Sequence, residues 1–228
     1  MGNFEIIRNK KLDKFHFDCV KKGILKNEMV FGRKPKKIKV FICDTEEEFK
    51  KHSRYYYFLF GAGTCLRNGD VVVRSNDFLD RVDKYYENLI VHEINHSFLG
   101  NFYKISKPIW LHEGLAIVLE GRLHYGIEND FFDLKKTKEL INENNLDFSC
   151  IKYRYLEKDF DSKETIRLFY SIWGHFAEFI SNKNAKKLVE FLNNYSKNPI
   201  NGNYDELFVK YFGDSIKDKF EEFVKWEK

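Results

Sequence analysis

His92 and His96 stand four residues apart inside the apolar run from Tyr85 to Leu99. An α-helix makes about 3.6 residues per turn, so positions i and i+4 share one face, one above the other. Two imidazoles placed that way can point at a single metal ion, about 2.0–2.1 Å from each nitrogen when the ion is zinc. Glu93 follows His92 directly and is turned about 100° from it around the helix. That offset lets its carboxylate reach a water activated at the ion without being forced to bind the ion itself. The chemistry these parts suit is hydrolysis by activated water, with Glu93 as general base.

A catalytic zinc site takes three protein ligands and keeps a fourth position for water. Glu113 lies seventeen positions after His96. That is enough chain to end one helix, turn, and start an antiparallel one. Gly100-Asn101 is the expected stop of the first helix, because glycine suits the left-handed position just past a helix end. Pro108 is the expected first-turn residue of the second helix, where a missing N–H costs nothing. Glu113 would then face the two histidines and complete a His, His, Glu set.

The two segments His92-Glu93-Ile94-Asn95-His96 and Trp110-Leu111-His112-Glu113-Gly114-Leu115-Ala116 resemble the paired motifs of the gluzincin metallopeptidases, the peptidase MA-like superfamily. The first is the H-E-x-x-H pattern, with its glutamate as base. The second is similar to W-L-x-E-G-x-A, and also to the N-E-G-F-A segment of zinc aminopeptidases, although His112 stands where those have Asn. The resemblance implies a zinc site held by His92, His96 and Glu113, with Glu93 catalytic. Glu120 matches an acidic position often seen in that second helix; its role is left open. The resemblance covers most of the chain from about residue 36, but outside residues 92–120 its motifs are weak.

Composition sets the bounds. The chain has 228 residues, a charged fraction of 32%, an aromatic fraction of 17% and a net charge of +4. The length suffices for a real core. Lysines are scattered apart from Lys34 to Lys39 and the ends, which argues against nucleic acid as a partner. Cys19, Cys43, Cys65 and Cys150 form no C-x-x-C pair, so a cysteine zinc site is not expected. Met1 to Phe15 is polar and charged with no apolar signal-peptide core, so the cysteines are read as reduced thiols in a cytoplasmic protein. No stretch approaches twenty apolar residues, so no membrane partner is expected.

Local patterns supply the frame. Residues 11–31 read as an amphipathic helix, weakened at Gly23, while Phe4 to Ile7 reads equally as strand or helix. Lys37 to Cys43 reads as a strand, 45–54 as a helix opened by acidic residues, and Tyr55 to Phe60 as a further strand. Asn68-Gly69 marks a hairpin turn between 60–66 and 70–74. In gluzincins such a sheet edge binds the substrate backbone as an added strand. The resemblance therefore implies Gly61, Ala62 and Gly63 as substrate-binding, although an ordinary Gly-rich hairpin would read the same way. After the helix at 108–123, bracketed by Gly121 and Gly126, comes a short helix at Leu134 to Asn142. Ser149 to Phe160 reads as a loop. Helices are expected at 163–182, 184–195, 203–212 and 214–227.

An oxyanion formed during hydrolysis needs a donor beside the metal. Gluzincin-like chains place a tyrosine in the helix after the third ligand, which implies Tyr170 as catalytic. His175 is next, then His124 and His112. His112 is expected to point away from Glu113, and His16 and His52 to lie on the surface.

The expectation is one α+β domain of gluzincin, thermolysin-like type. Residues 1–82 form a small mixed or antiparallel sheet lobe with helices, 83–126 the active-site helix pair, and 127–228 a helical lobe. The expected function is a zinc (Zn2+) peptidase acting on a peptide or protein substrate. The alternative is a non-catalytic or narrowly specific regulatory binding module on the same fold.

Overall fold

The computed structural model describes residues 4–35, 37–53, 61–103, 108–121, 123, 132–152, 162–196 and 204–227. The run Tyr55 to Phe60, His124, Gly126 and residues 153–160 lie outside the described residues. The protein is α+β, and the chain divides into two compact units, Met1–Asn101 and Phe102–Lys228.

The first unit is built on a mixed sheet of four strands among the described residues: β1 (Phe4–Ile7), β2 (Ile38–Cys43), β3 (Gly63–Cys65) and β4 (Val71–Arg74), in the order β1-β2-β4-β3. Phe4–Ile7 is thus a strand, parallel to β2 with Phe4 opposite Ile38. Strand β4 is also parallel to β2, and β3 runs antiparallel to β4 with Thr64 opposite Val72. The β3–β4 turn closes where expected. Gly69 N–H donates to Leu66 O at 2.8 Å and Gly69 takes φ 85°, the left-handed position that glycine occupies without strain.

Successive residues of a strand face opposite sides of the sheet. Phe41, Cys43 and Val72 meet Phe49 of α2 (Glu46–Ser53) on one side. Val73, on the other side, faces α4 (Asp83–Phe98), which follows the short helix α3 (Asn76–Leu79) and packs along α1 (Lys14–Phe31). Gly23 does not weaken α1 but lets it approach α4: a Cβ there would stand 2.8 Å from Ile94 Cδ1. Asp13 caps the start of α1 by accepting from His16 N–H at 2.9 Å.

His16 is buried, contrary to its expected surface position. It belongs to a charged cluster at the carboxyl ends of β1, β2 and β4. Buried Arg8 holds Asp44 through two hydrogen bonds of 2.7 and 3.0 Å and reaches Asp13 at 3.1 Å. The His16 ring sits 2.8 Å from Asp13. His52 is half-buried and stacks on Phe41.

In the second unit α5 (Ile109–Glu120) lies against α8 (Lys163–Tyr195), with α6 (Leu134–Glu143), α7 (Ser149–Lys152), α9 (Tyr204–Phe212) and α10 (Ile216–Lys225) around them. Ser149–Lys152 is a short helix where loop was expected. The expected break within α8 is real: Asn184 leaves helical geometry (φ −169°, ψ 89°) and its side chain recaps the next turn at Lys187 N–H, 2.9 Å away. The core is aromatic. Trp110 meets Phe176 and Phe208 edge-on and donates to Tyr204 Oη at 2.8 Å. Among the described residues no helix is long and apolar enough to cross a membrane.

The Arg8 cluster makes a pH prediction. Burial opposes charge on Asp13, but bonds from the His16 backbone and ring and from Arg8 outweigh it and hold the carboxyl at about 2. Asp44 is lowered in the same way, burial being outweighed chiefly by Arg8. Carboxyls that titrate lower folded than unfolded lend stability above their unfolded value, and it is lost as pH falls through the folded one. Arg8→Met is therefore expected to unfold at higher pH than wild type in an acid titration followed by circular dichroism. An unmoved midpoint would take the cluster out of the account.

Candidate metal centre

Helix α4 opens with Asp83 in its first turn, where a negative charge suits the helix dipole. From Asn88 to Phe98 every residue is buried. The helix does not stop at Gly100, as expected, but runs on through a π-helical turn, Leu99–Tyr103. Gly100 is not left-handed, so it does not perform the terminating role assigned to it.

His92 Nε2 lies 3.0 Å from His96 Nε2, with the rings 4.6 Å apart and nearly perpendicular. Both nitrogens converge on one point. Two ligand nitrogens about 2.0–2.1 Å from a tetrahedral ion are about 3.3 Å apart, so the pair fits a shared ion with a shift of a few tenths of an ångström.

Glu93 is buried on the side of α4 that faces β3. A Cβ built on Gly63 would stand 2.8 Å from Glu93 Cγ and 3.0 Å from its Oε1. The carboxylate therefore lies directly over the strand backbone, in space that glycine alone leaves open. Cys65, two residues along, is on the same face. Burial pushes its thiol well up, and the charge of Glu93 adds to that.

The three residues read as a substrate edge divide into two kinds. Gly61 O accepts from the Arg74 guanidinium, and Ala62 O accepts from Arg74 N–H at 2.9 Å. Leu66 N–H donates to Asp70 O at 2.8 Å. In an antiparallel pair residues exchange hydrogen bonds alternately, so residues 62, 64 and 66 bond to β4. The backbone groups of Gly63 and Cys65 point away from β4, outward from the end strand of the sheet as described.

Glu113 is buried on α5, and the helix is seated by the residue that follows it. A Cβ on Gly114 would stand 2.4 Å from Trp173 O and 2.8 Å from Ala177 Cβ. Pro108 is the N-cap of α5, one position before the first turn, and Gly121 ends it with φ 84°. His112 does not point away from Glu113: its Nδ1 lies 3.2 Å from Glu113 Oε1. Among the described residues, His92, His96 and Glu113 form a group that could hold a metal ion. Each is buried and offers one ligand atom, all within 4.8 Å of one another.

Tyr170 is half-buried on α8 with its ring 5.1 Å from that of Trp173. His175 is buried in the second unit, with Nε2 3.1 Å from Phe132 O and Nδ1 3.7 Å from Glu178. Glu120 is buried near the end of α5. The sequence reading missed the packing of Gly63 against Glu93. It also missed Asn95, the fourth residue of the first motif, which donates from its amide to Asn27 Oδ1 at 2.9 Å. Asn27 had a signal: it falls on the same helical stripe as Val20, Ile24 and Phe31.

No protein-family model matches the chain, and no curated protein matches it.

Gly63 generates a test independent of activity. An added methyl meets Glu93 on one side and Val73 Cγ1, at 2.9 Å, on the other. Overpacking of this kind costs about 1–3 kcal/mol. Gly63→Ala is expected to lower the denaturant midpoint accordingly, and wild-type stability in that variant would contradict the packing described.

Proposed function

We propose that this chain is a zinc-dependent peptidase of gluzincin, thermolysin-like type, acting on a peptide or protein substrate. The observation that carries this reading is the buried convergence of His92, His96 and Glu113, with Glu93 one residue from a ligand yet turned toward a strand edge. Zinc in such a site polarises a carbonyl and lowers the pKa of water.

The chain's own residues supply the rest. Glu93 takes a proton from the attacking water and delivers it to the leaving amine. Its burial over Gly63 keeps the carboxylate aimed and limits competition from bulk solvent. The outward backbone groups of Gly63 and Cys65 offer an extended substrate donors and acceptors beside that carboxylate. His112 steadies the Glu113 carboxylate through its ring nitrogen, as partners of ligating carboxylates do. By the family resemblance, Tyr170 would be the hydroxyl donor to the oxyanion.

The test is metal content by elemental analysis beside turnover of a peptide library. Wild type is expected to carry about one zinc per chain. Glu93→Gln should keep zinc and lose about 10²–10⁴-fold in turnover. His92→Ala and Glu113→Ala should lose both. Full zinc in His92→Ala would sink the ligand assignment, and a wild-type protein that takes up no zinc after reconstitution would sink the function.

A further inference from the structure

The contact between α1 and α4 is largely apolar, with Lys22 paired to Glu87 at its exposed rim, 2.6 Å apart. Ile90 and Ile94 of α4 lie under Gly23, whose Cβ would stand 3.4 Å from Ile90 Cγ2 and 2.8 Å from Ile94 Cδ1. At about 100° per residue these two isoleucines are on the opposite side of α4 from His92 and His96. Beside them is a buried polar pair. Asn95 Nδ2 donates to Asn27 Oδ1 at 2.9 Å, and Asn27 Nδ2 donates to Gly23 O at 2.9 Å. Both side chains are fully buried. Asn95 Oδ1 has no hydrogen-bond partner among the described residues, so the bond to Asn27 is what compensates the burial of this amide.

We propose that Asn27 is a positioning residue for the His92/His96 pair, fixing the rotation of α4 about its own axis through Asn95. The proposal rests on the metal-site reading above. Apolar side chains attract without direction, so an isoleucine stripe alone tolerates a small roll or slide of one helix on another. A buried amide tolerates neither, because losing its partner leaves the desolvation cost unmet. The imidazole nitrogens project about 6 Å from the helix axis, so a roll of about 20° would carry them about 2 Å. Metal ligands need placement within about 0.2 Å. Asn95 stands on the flank of α4, about 80° around the helix from the mean direction of the two histidines, and its amide bond sets where they point. A single polar pair that specifies register in an apolar seam has the same logic in coiled coils.

The test compares wild type with Asn27→Leu and with the double variant Asn27→Leu/Asn95→Leu, in which two apolar side chains of similar volume replace the amides. The single variant is expected to lose thermal stability and the double variant to recover it, which separates stability from positioning. Two readouts then report on the ligands. The imidazole nitrogen shifts of His92 and His96, recorded by NMR without metal, are expected to move in both variants. Zinc affinity, by competition with a chelator, is expected to fall about 10–100-fold in both. Wild-type shifts, or wild-type zinc affinity in the stable double variant, would overturn the proposal. If wild type binds no zinc, the peptidase reading fails, and the shifts alone decide the positioning role. Should the double variant not fold, Asn27→Ser serves for the same two readouts.

Discussion

A helix buried along most of its length must account for each polar group it carries. From Asn88 to Phe98, α4 has no exposed residue, yet it bears His92, Glu93, Asn95, His96 and Ser97. Leaving one such group unmatched costs about 1–3 kcal/mol. The first unit is arranged around meeting these demands. Asn95 is met by Asn27 on α1, and Ser97 donates to Gly69 O in the hairpin turn at 2.5 Å. Glu93 lies over a strand that has no side chain at that point. Helix α1, the β3–β4 hairpin and α4 are thereby held to one another by directional contacts, not by apolar burial alone.

The second unit places its contribution by a different device. Glu113 is followed by Gly114, and the backbone there sits against the carbonyl of Trp173. Gly174 also allows close packing: a Cβ there would stand 2.6 Å from Ile117 Cγ2. The backbone approach at Gly114 leaves little freedom in helix rotation, because no flexible side chain stands between it and the Trp173 carbonyl. The direction of Glu113 from α5 is set by the main chain one residue away.

Much of this was legible in the sequence, for a physical reason. The helical period alone puts His92 and His96 on one face, and a turn needing positive φ alone explains Asn68-Gly69. Both are local constraints, and both appear in the structure. What was not legible depends on partners distant in the chain. Asn27 and Asn95 are 68 positions apart, and nothing local to either marks the other. His16 was read as exposed because its burial comes from Arg8, Asp13 and Tyr86. Gly100 misled because glycine permits a left-handed stop without requiring one, and here the chain continued into a wider helical turn. Gly23 misled in the opposite sense: read as a weak point of the helix, it is where α1 comes closest to Ile94 of α4.

The alternation along β3 carries one more implication. At Gly63 and Cys65 two properties coincide: the backbone groups point away from β4, and the residues face α4, with Glu93 over Gly63. An extended chain laid along this edge would therefore be sampled with a parity of two. Moving it by a single residue would exchange which of its peptide groups are bonded and turn every side chain to the other face. Moving it by two would restore both. The edge distinguishes odd from even placements before any side chain is recognised; on the proposed peptidase reading, that would confine the peptide bonds presented to Glu93 to every second one.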